Sequence, residues 1–248
     1  MDSGNTHQDE RRAFLRTGTV LAVATTPIPA LLSACATPGQ FDTGDKRMAA
    51  TIHAGDAWDY DELNGYNLER VAQIRYVAEQ GDPPALRVEV KGRPLSGLRS
   101  GQLEGYAAPW VVKQDAVYDF ENRYDPPLPL LPARLEPGAT ETWQSMVKHD
   151  EKDRALRWHV QIEALGIERV TVPAGAFDAL PVRRTIRFEH PDFFRALSER
   201  TETLWFVPEI RRWVKREWRG QYLQKMRPDA PTFREDWIVW QLTRFTAA

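Results

Sequence analysis

Leu156-Arg157-Trp158-His159-Val160-Gln161-Ile162-Glu163-Ala164 is the stretch from which the fold is read. Apolar side chains occupy every second position and polar ones the positions between. That period belongs to a strand with one packed face and one wet face, whereas a helix would group apolar residues three and four apart. The same period recurs on both sides. Leu86, Val88 and Val90 alternate with Arg87, Glu89 and Lys91, and the run from Trp110 to Phe120 gathers Trp110, Val112, Ala116, Tyr118 and Phe120 on one side. Leu204-Trp205-Phe206-Val207 and Trp213-Val214-Lys215-Arg216-Glu217-Trp218 flank a turn at Pro208-Glu209, which predicts a hairpin. Val170-Thr171-Val172 meets Pro173-Ala174-Gly175, with proline and glycine at the second and fourth positions of a type I turn. Phe177, the run Val182 to Phe188 and a last strand from Trp237 to Phe245 complete the series.

Segments that break the pattern shape the rest. Residues 68–78, LERVAQIRYVA, read equally as strand or helix. Asp125-Pro126-Pro127-Leu128-Pro129-Leu130-Leu131-Pro132 is too rich in proline for a central strand, so an extended crossover or edge segment is expected. His190-Pro191-Asp192 predicts the start of a short helix, capped by Asp192, with Phe193, Phe194 and Leu197 on one flank. Asp56, Asp59, Asp61 and Glu62 read as solvated acids on an edge strand, where charge blocks further pairing. The expected fold is mainly β: one domain over residues 53–248, a curved antiparallel sheet or incomplete barrel with one short helix.

Ahead of the domain stands a different composition. Arg11, Arg12 and Arg16 precede an apolar run from Val20 to Leu32, diluted by Thr25, Thr26, Pro27 and Pro29 and closed by Leu32-Ser33-Ala34-Cys35. A membrane-spanning helix needs about 20 mostly apolar residues, and this run is shorter. A positive start, a short apolar run and small residues at its end read as an export signal over residues 1–34. Leu32-Ser33-Ala34-Cys35 resembles the bacterial lipobox, whose cysteine sulfur is acylated and becomes the first residue. Glu10 to Arg16 resembles a twin-arginine signal carried here by Arg11, Arg12, Phe14 and Leu15, with Glu10 and Arg16 where that signal has Ser or Thr and Lys. The resemblance implies a membrane anchor on Cys35 and a periplasm-facing place in the cell envelope. Ala36 rather than aspartate after the cysteine favours the outer membrane. Residues 35–52, small and polar, are then a flexible tether.

A second resemblance rests on Val170-Thr171-Val172-Pro173-Ala174-Gly175-Ala176-Phe177, Val182, Leu204-Trp205-Phe206-Val207-Pro208 and Val214-Lys215. Pro132, Leu135, Pro137-Gly138 and Trp143 extend it upstream, so that it covers about residues 130–220. These residues resemble a family of uncharacterised exported β-rich domains. The resemblance implies a curved antiparallel sheet or half-barrel over an apolar groove, in the outline of periplasmic lipoprotein carriers. It implies no activity.

Chemistry is harder to find. A formal net charge of −2 gives no global field for nucleic acid. Cys35 is the only cysteine, which excludes an internal disulfide and a zinc site of thiolates. There is no G-x-S-x-G elbow. Ser145-Met146-Val147-Lys148 spells S-x-x-K, but on a strand an offset of three points to opposite faces. His53, His149, His159 and His190 are not at metal-ligand spacing. No cofactor or metal motif is recognised, and an envelope hydrolase is the least favoured reading.

A binding role is expected instead, at one of two sites. Trp158, Trp205, Trp237 and Trp240 could line a groove for an apolar or amphipathic ligand such as a lipid. Alternatively Arg211, Arg212, Lys215 and Arg216 form a basic face for an envelope protein or polymer, within residues 183–227 where twelve Lys or Arg outnumber six acids. The anchor is directly testable. Cys35→Ala is expected to make the chain leave the membrane fraction on a high-salt wash that the wild type withstands, and to abolish an acyl mass increment in intact mass spectrometry. A wild-type chain without that increment would remove the anchor.

Overall fold

The structure is a computed structural model that describes residues 51–226, 229 and 231–248. The export signal, the lipobox with Cys35 and most of the tether lie outside the described residues. Strands β1 (Ala57–Asn64), β2 (Arg70–Gly81), β3 (Pro84–Gly92), β4 (Leu103–Ala108), β5 (Val111–Asp115), β6 (Asn122–Pro129), β7 (Thr140–Lys148) and β8 (Leu156–Ala164) pair with their sequence neighbours. Next come β9 (Glu168–Val172), β10 (Gly175–Phe188), β11 (Arg195–Val207), β12 (Arg212–Gln224), β13 (Phe233–Arg234) and β14 (Ile238–Thr246). β10 joins β8, β11 joins β10, β12 joins β11, and β14 bridges β12 to β1. The result is an up-and-down antiparallel ring of twelve strands, with β9 and β13 as short arms on β10 and β12. Full closure removes the free strand edges that an open sheet would expose.

Antiparallel order also sorts the loops. The β1–β2, β3–β4, β5–β6, β7–β8 and β10–β11 connections and the segment before β14 lie at one end, called here the loop end. The described N-terminus, the β2–β3 and β11–β12 turns and the C-terminus lie at the other.

Several expectations are corrected by this ring. Residues 68–78, open between strand and helix, resolve to strand and fall mainly in β2; the edge-strand, crossover and helix readings are overturned. β1 is flanked on both sides, so its acids are not an edge device: Asp56 and Glu62 are buried, while Asp59 pairs outside with Arg75 at 3.1 Å and Arg244 at 2.8 Å. The proline-rich segment is a strand, β6, with neighbours on both sides, but its ladder is interrupted. Pairing to β7 stops at Asp125, and β7 side chains take over: Ser145 Oγ donates to the Pro126 carbonyl at 2.8 Å and Trp143 Nε1 to the Pro127 carbonyl at 3.1 Å. The helix expected from Asp192 is a turn. Asp192 Oδ1 does accept the Phe194 N–H at 3.0 Å, as a cap would, yet the chain enters β11 at Arg195. The short helix is instead one 3-10 turn, Pro208–Ile210, ended by Arg211 at φ 57°. The β9–β10 hairpin has the two-residue loop that Pro173-Ala174 predicts, with Gly175 at φ 139° opposite Val172.

A closed ring must fill its interior. About eight strands leave room that ordinary side chains fill; twelve demand larger ones. Trp58, Tyr60, Tyr76, Tyr106, Trp158, Trp218 and Trp240 all point inward and are buried, with Trp218 and Trp240 edge to face at 5.2 Å. Loop residues Leu98, Val117 and Tyr118 are buried with them. Ionised groups complete the filling. Glu202 on β11 accepts Arg216 Nε of β12 at 2.6 Å and the Tyr118 hydroxyl at 2.8 Å on one oxygen, and Arg184 Nη1 of β10 on the other. Arg212 spans the interior from β12 to Glu104 on β4 at 2.8 Å, stacked 3.8 Å from the Trp213 ring centroid. Burial alone would raise the Glu202 carboxyl, but Arg216 and Arg184 outweigh it and hold the group below its ordinary value.

Removing one member of such a set leaves an uncompensated buried charge. Glu202→Gln is therefore expected to lower the unfolding free energy by about 3–5 kcal/mol. Glu163→Gln, which breaks a half-exposed pair to Arg183, should change it by no more than about 1 kcal/mol. Urea denaturation of both variants tests the contrast, and equal losses would contradict the network's role.

Candidate functional site

The alternation that buries Trp158 and Ile186 turns the residues between them outward. Across β7, β8, β10, β11 and β12 the register aligns Gln144, His159, Arg187, Glu199 and Gln221 in one outward row. Arg157 stands two residues nearer the loop end, its N–H donating to Glu189 Oε2 at 3.2 Å. Beyond the row, β11 carries a bulge: Ala196 faces Leu223 but Glu199 faces Gln221, so one extra residue must be accommodated. Leu197 absorbs it at φ 48° and is thrown outward.

Between the row, the bulge and the β7–β8 and β10–β11 loops lies a cleft of about 560 Å³. Arg154, Arg157, Arg187, Arg195 and Lys225 line it, with Glu189 and Glu199 as its acids and Phe188, Ala196 and Leu197 as its apolar wall. Arg187 meets Glu199 at 2.8 Å and Arg154 meets Glu189 at 3.5 Å, and both guanidinium groups stand largely in solvent, so these cations remain open to exchange partners. Arg195 is held from behind by Glu235 at 2.9 Å and lies 4.3 Å over the Tyr222 ring. Burial, with Arg195 and Arg200 nearby, depresses the His190 imidazole to about 4, so it stays neutral at physiological pH; its Nδ1 accepts the Asp192 N–H at 3.0 Å. Such a surface can hold an anionic group against an apolar wall.

Solved structures offer two likenesses. A protein assigned as exported, with a YMCC-like fold, from Bacteroides fragilis shares 12% identity over 79% of this chain and 97% of its own, at a TM-score of 0.38. A protein assigned as a lipoprotein from Parabacteroides distasonis shares 15% identity over 79% of this chain and 96% of its own, at a TM-score of 0.43. No protein-family model matches the chain, and no curated protein matches it at a significant level.

The residues singled out from the sequence do not assemble as expected. Trp158 and Trp240 are packed inside the ring, whereas Trp205 and Trp237 are half-buried on its outside. Trp205 donates to Glu168 and lies under the Lys215 ammonium at 4.3 Å; Trp237 covers Gly65 and donates to Glu217 at 2.9 Å. They share no groove, and the concavity that was to hold a ligand is occupied by side chains. The basic face is likewise corrected. Arg212 and Arg216 are 0% and 2% exposed and serve the interior, Arg211 is bound to Asp56 at 2.8 Å, and Lys215 pairs with Glu217 at 3.1 Å. Residues of the cleft were missed, although the odd phase of Arg157, His159 and Arg187 already placed them together on the outer face. Only the register between strands could bring Glu199 and Lys225 beside them.

Two buried acids outside the ion network matter for pH. Glu62 accepts Ser96 N–H at 3.2 Å and Trp240 Nε1 at 2.8 Å, yet burial outweighs these donors and raises its carboxyl. Burial pushes Asp115 up to about 6 against the bond from Asn122 Nδ2 at 2.9 Å and the fields of Arg216 and Arg184, with Glu104 adding to the rise. Its folded value exceeds the unfolded 3.8, so its contribution is complete below that pH and is lost as pH rises through about 6. Asp115→Asn, which stays neutral, should accordingly gain on the wild type between pH 4 and 7.5, by an amount on the order of 2 kcal/mol. Urea denaturation at both pH values measures it. A stability difference independent of pH would refute the assignment.

Proposed function

We propose that this chain is a non-enzymatic binding protein of the cell envelope, exported by the twin-arginine route and anchored through Cys35, with the outer membrane as its site. Its ring is a rigid carrier for the cleft at the loop end, which takes the anionic group of an amphipathic envelope component. One observation supports this above the others. Arg154, Arg157, Arg187, Arg195 and Lys225 converge on a single cleft whose acids are two, beside an apolar wall. A group with a phosphate or carboxylate head and an acyl or alkyl body matches both halves, since charge-assisted bonds fix the head while apolar contact holds the body.

This reading keeps the amphipathic ligand expected from the sequence but moves it from the interior to an outer cleft. Calorimetric titration with hexyl phosphate tests it. Arg157→Glu and Arg187→Glu are each expected to weaken binding about tenfold or more, since a hydrogen bond to a charged group is worth roughly 1.5–3 kcal/mol. Affinity unchanged in both variants would dismiss the cleft as the site.

A further inference from the structure

Among the described residues, the large apolar side chains left most exposed are not scattered over the ring. Leu197 is 79% exposed, Met226 74%, Phe193 66% and Leu68 65%, and all four stand at the loop end. Tyr66 and Phe194 join them there, also exposed. Single exposed apolar residues need no explanation, whereas a collection of them on one rim marks a contact surface.

Their placement is built into the backbone. Phe193 and Phe194 sit at the tip of the β10–β11 loop with ring centroids 3.8 Å apart. Lys225 N–H donates to the Phe194 carbonyl at 2.9 Å, which ties the Met226 segment to that tip. Leu68 at φ 59° and Leu197 at φ 48° occupy the left-handed region, where bulky side chains are disfavoured. The chain thus holds two leucines in strained backbone and shows both to solvent.

Around the tip lie the cations of the cleft, Arg154, Arg157, Arg187 and Lys225. Apolar tips set in a ring of Arg and Lys complement one surface above others, a bilayer with anionic headgroups. There the apolar side chains enter the acyl boundary while the cations meet lipid phosphates, each worth about 1 kcal/mol near such a surface at physiological salt.

We infer that the loop end docks on an anionic lipid bilayer, with Phe193, Phe194, Leu197, Met226, Tyr66 and Leu68 as the inserting rim. The inference rests on the cleft reading, because it uses the same cations as the headgroup contacts. It also sets an orientation. The described chain enters the ring at the opposite end, where Asp56 binds the His53 N–H at 2.8 Å and the Ala248 N–H at 3.0 Å. The residues between Cys35 and Ile52, at up to about 3.5 Å each, reach roughly 60 Å when extended, enough to let an anchored chain turn its far end to the bilayer that holds it.

A position-specific probe tests this in the full chain with Cys35→Ser, so that no acyl group contributes. Leu197→Cys at the loop end and Glu136→Cys, exposed on the β6–β7 connection at the opposite end, are each labelled with the fluorophore NBD. Vesicles of phosphatidylcholine with roughly a third phosphatidylglycerol are then added. The label at position 197 is expected to shift to the blue and brighten, and the label at 136 to stay unchanged. Adding Phe193→Ser should abolish the shift, and salt at about 1 M, where screening acts within about 3 Å, should reverse it. No shift at 197, or equal shifts at both ends, overturns the inference. Hexyl phosphate titrated into the unlabelled Cys35→Ser chain, in which Leu197 is intact, separates the two failures: retained binding without a vesicle shift leaves the cleft reading standing and removes only the membrane contact.

Discussion

Glu202, held between Arg184 and Arg216 inside a closed ring, aligns three neighbouring strands at once. The three residues lie on β10, β11 and β12, and a slip of one residue in any of these strands would turn its charge to the outside. Their register is therefore locked by electrostatics as well as by apolar packing. Tyr118 extends the lock to the β5–β6 loop, whose backbone it holds at φ 70° while its hydroxyl serves both Glu202 and Arg216. Arg212, paired with Glu104 on the opposite wall, fixes the width of the ring in the same way.

This interior decides what the protein can do. Twelve strands enclose more space than eight, and a wider barrel often keeps a ligand chamber or a channel. Here indoles, phenols and guanidinium planes stacked on aromatic faces occupy it, with Arg216 5.2 Å from the Trp218 centroid and 5.3 Å from that of Trp240. Binding is displaced to the periphery, where loops differ in chemistry between the two ends. The loop end combines exposed apolar tips with the arginine-lined cleft. At the other, Asp56, Arg211 and the C-terminal residues tie the chain to itself.

Much of this was legible in the sequence, and the misses have a common cause. Period two in Leu156–Ala164 and the turn at Pro173-Ala174-Gly175 specify strand and hairpin through local sterics, and both are present as read. The basic stretch 183–227 forms no single face, because its charges alternate in phase between the two sides of the ring. Arg184 shares the phase of Val182 and Ile186, Glu202 that of Leu204 and Phe206, and Arg216 that of Val214 and Trp218, so each belongs inside. Glu62, in phase with Trp58 and Tyr60, repeats the lesson on β1. At Asp192 a capping bond formed without a helix, because β11 already pairs with β12 from Arg195 and leaves only two residues after the cap.

The clearly alternating strands, such as Leu156–Ala164 and the pair on either side of Pro208-Glu209, and the turn at Pro173-Ala174 were written in the chain, since they follow from alternation and from the backbone limits of proline and glycine within a few residues. Closure of β14 on β1, the partners of the buried arginines and the meeting of Arg157, Arg187, Glu199 and Lys225 in one cleft were decided only by the tertiary structure. Each joins residues far apart in the chain, and such contacts depend on strand register across the whole ring, which no local stretch encodes.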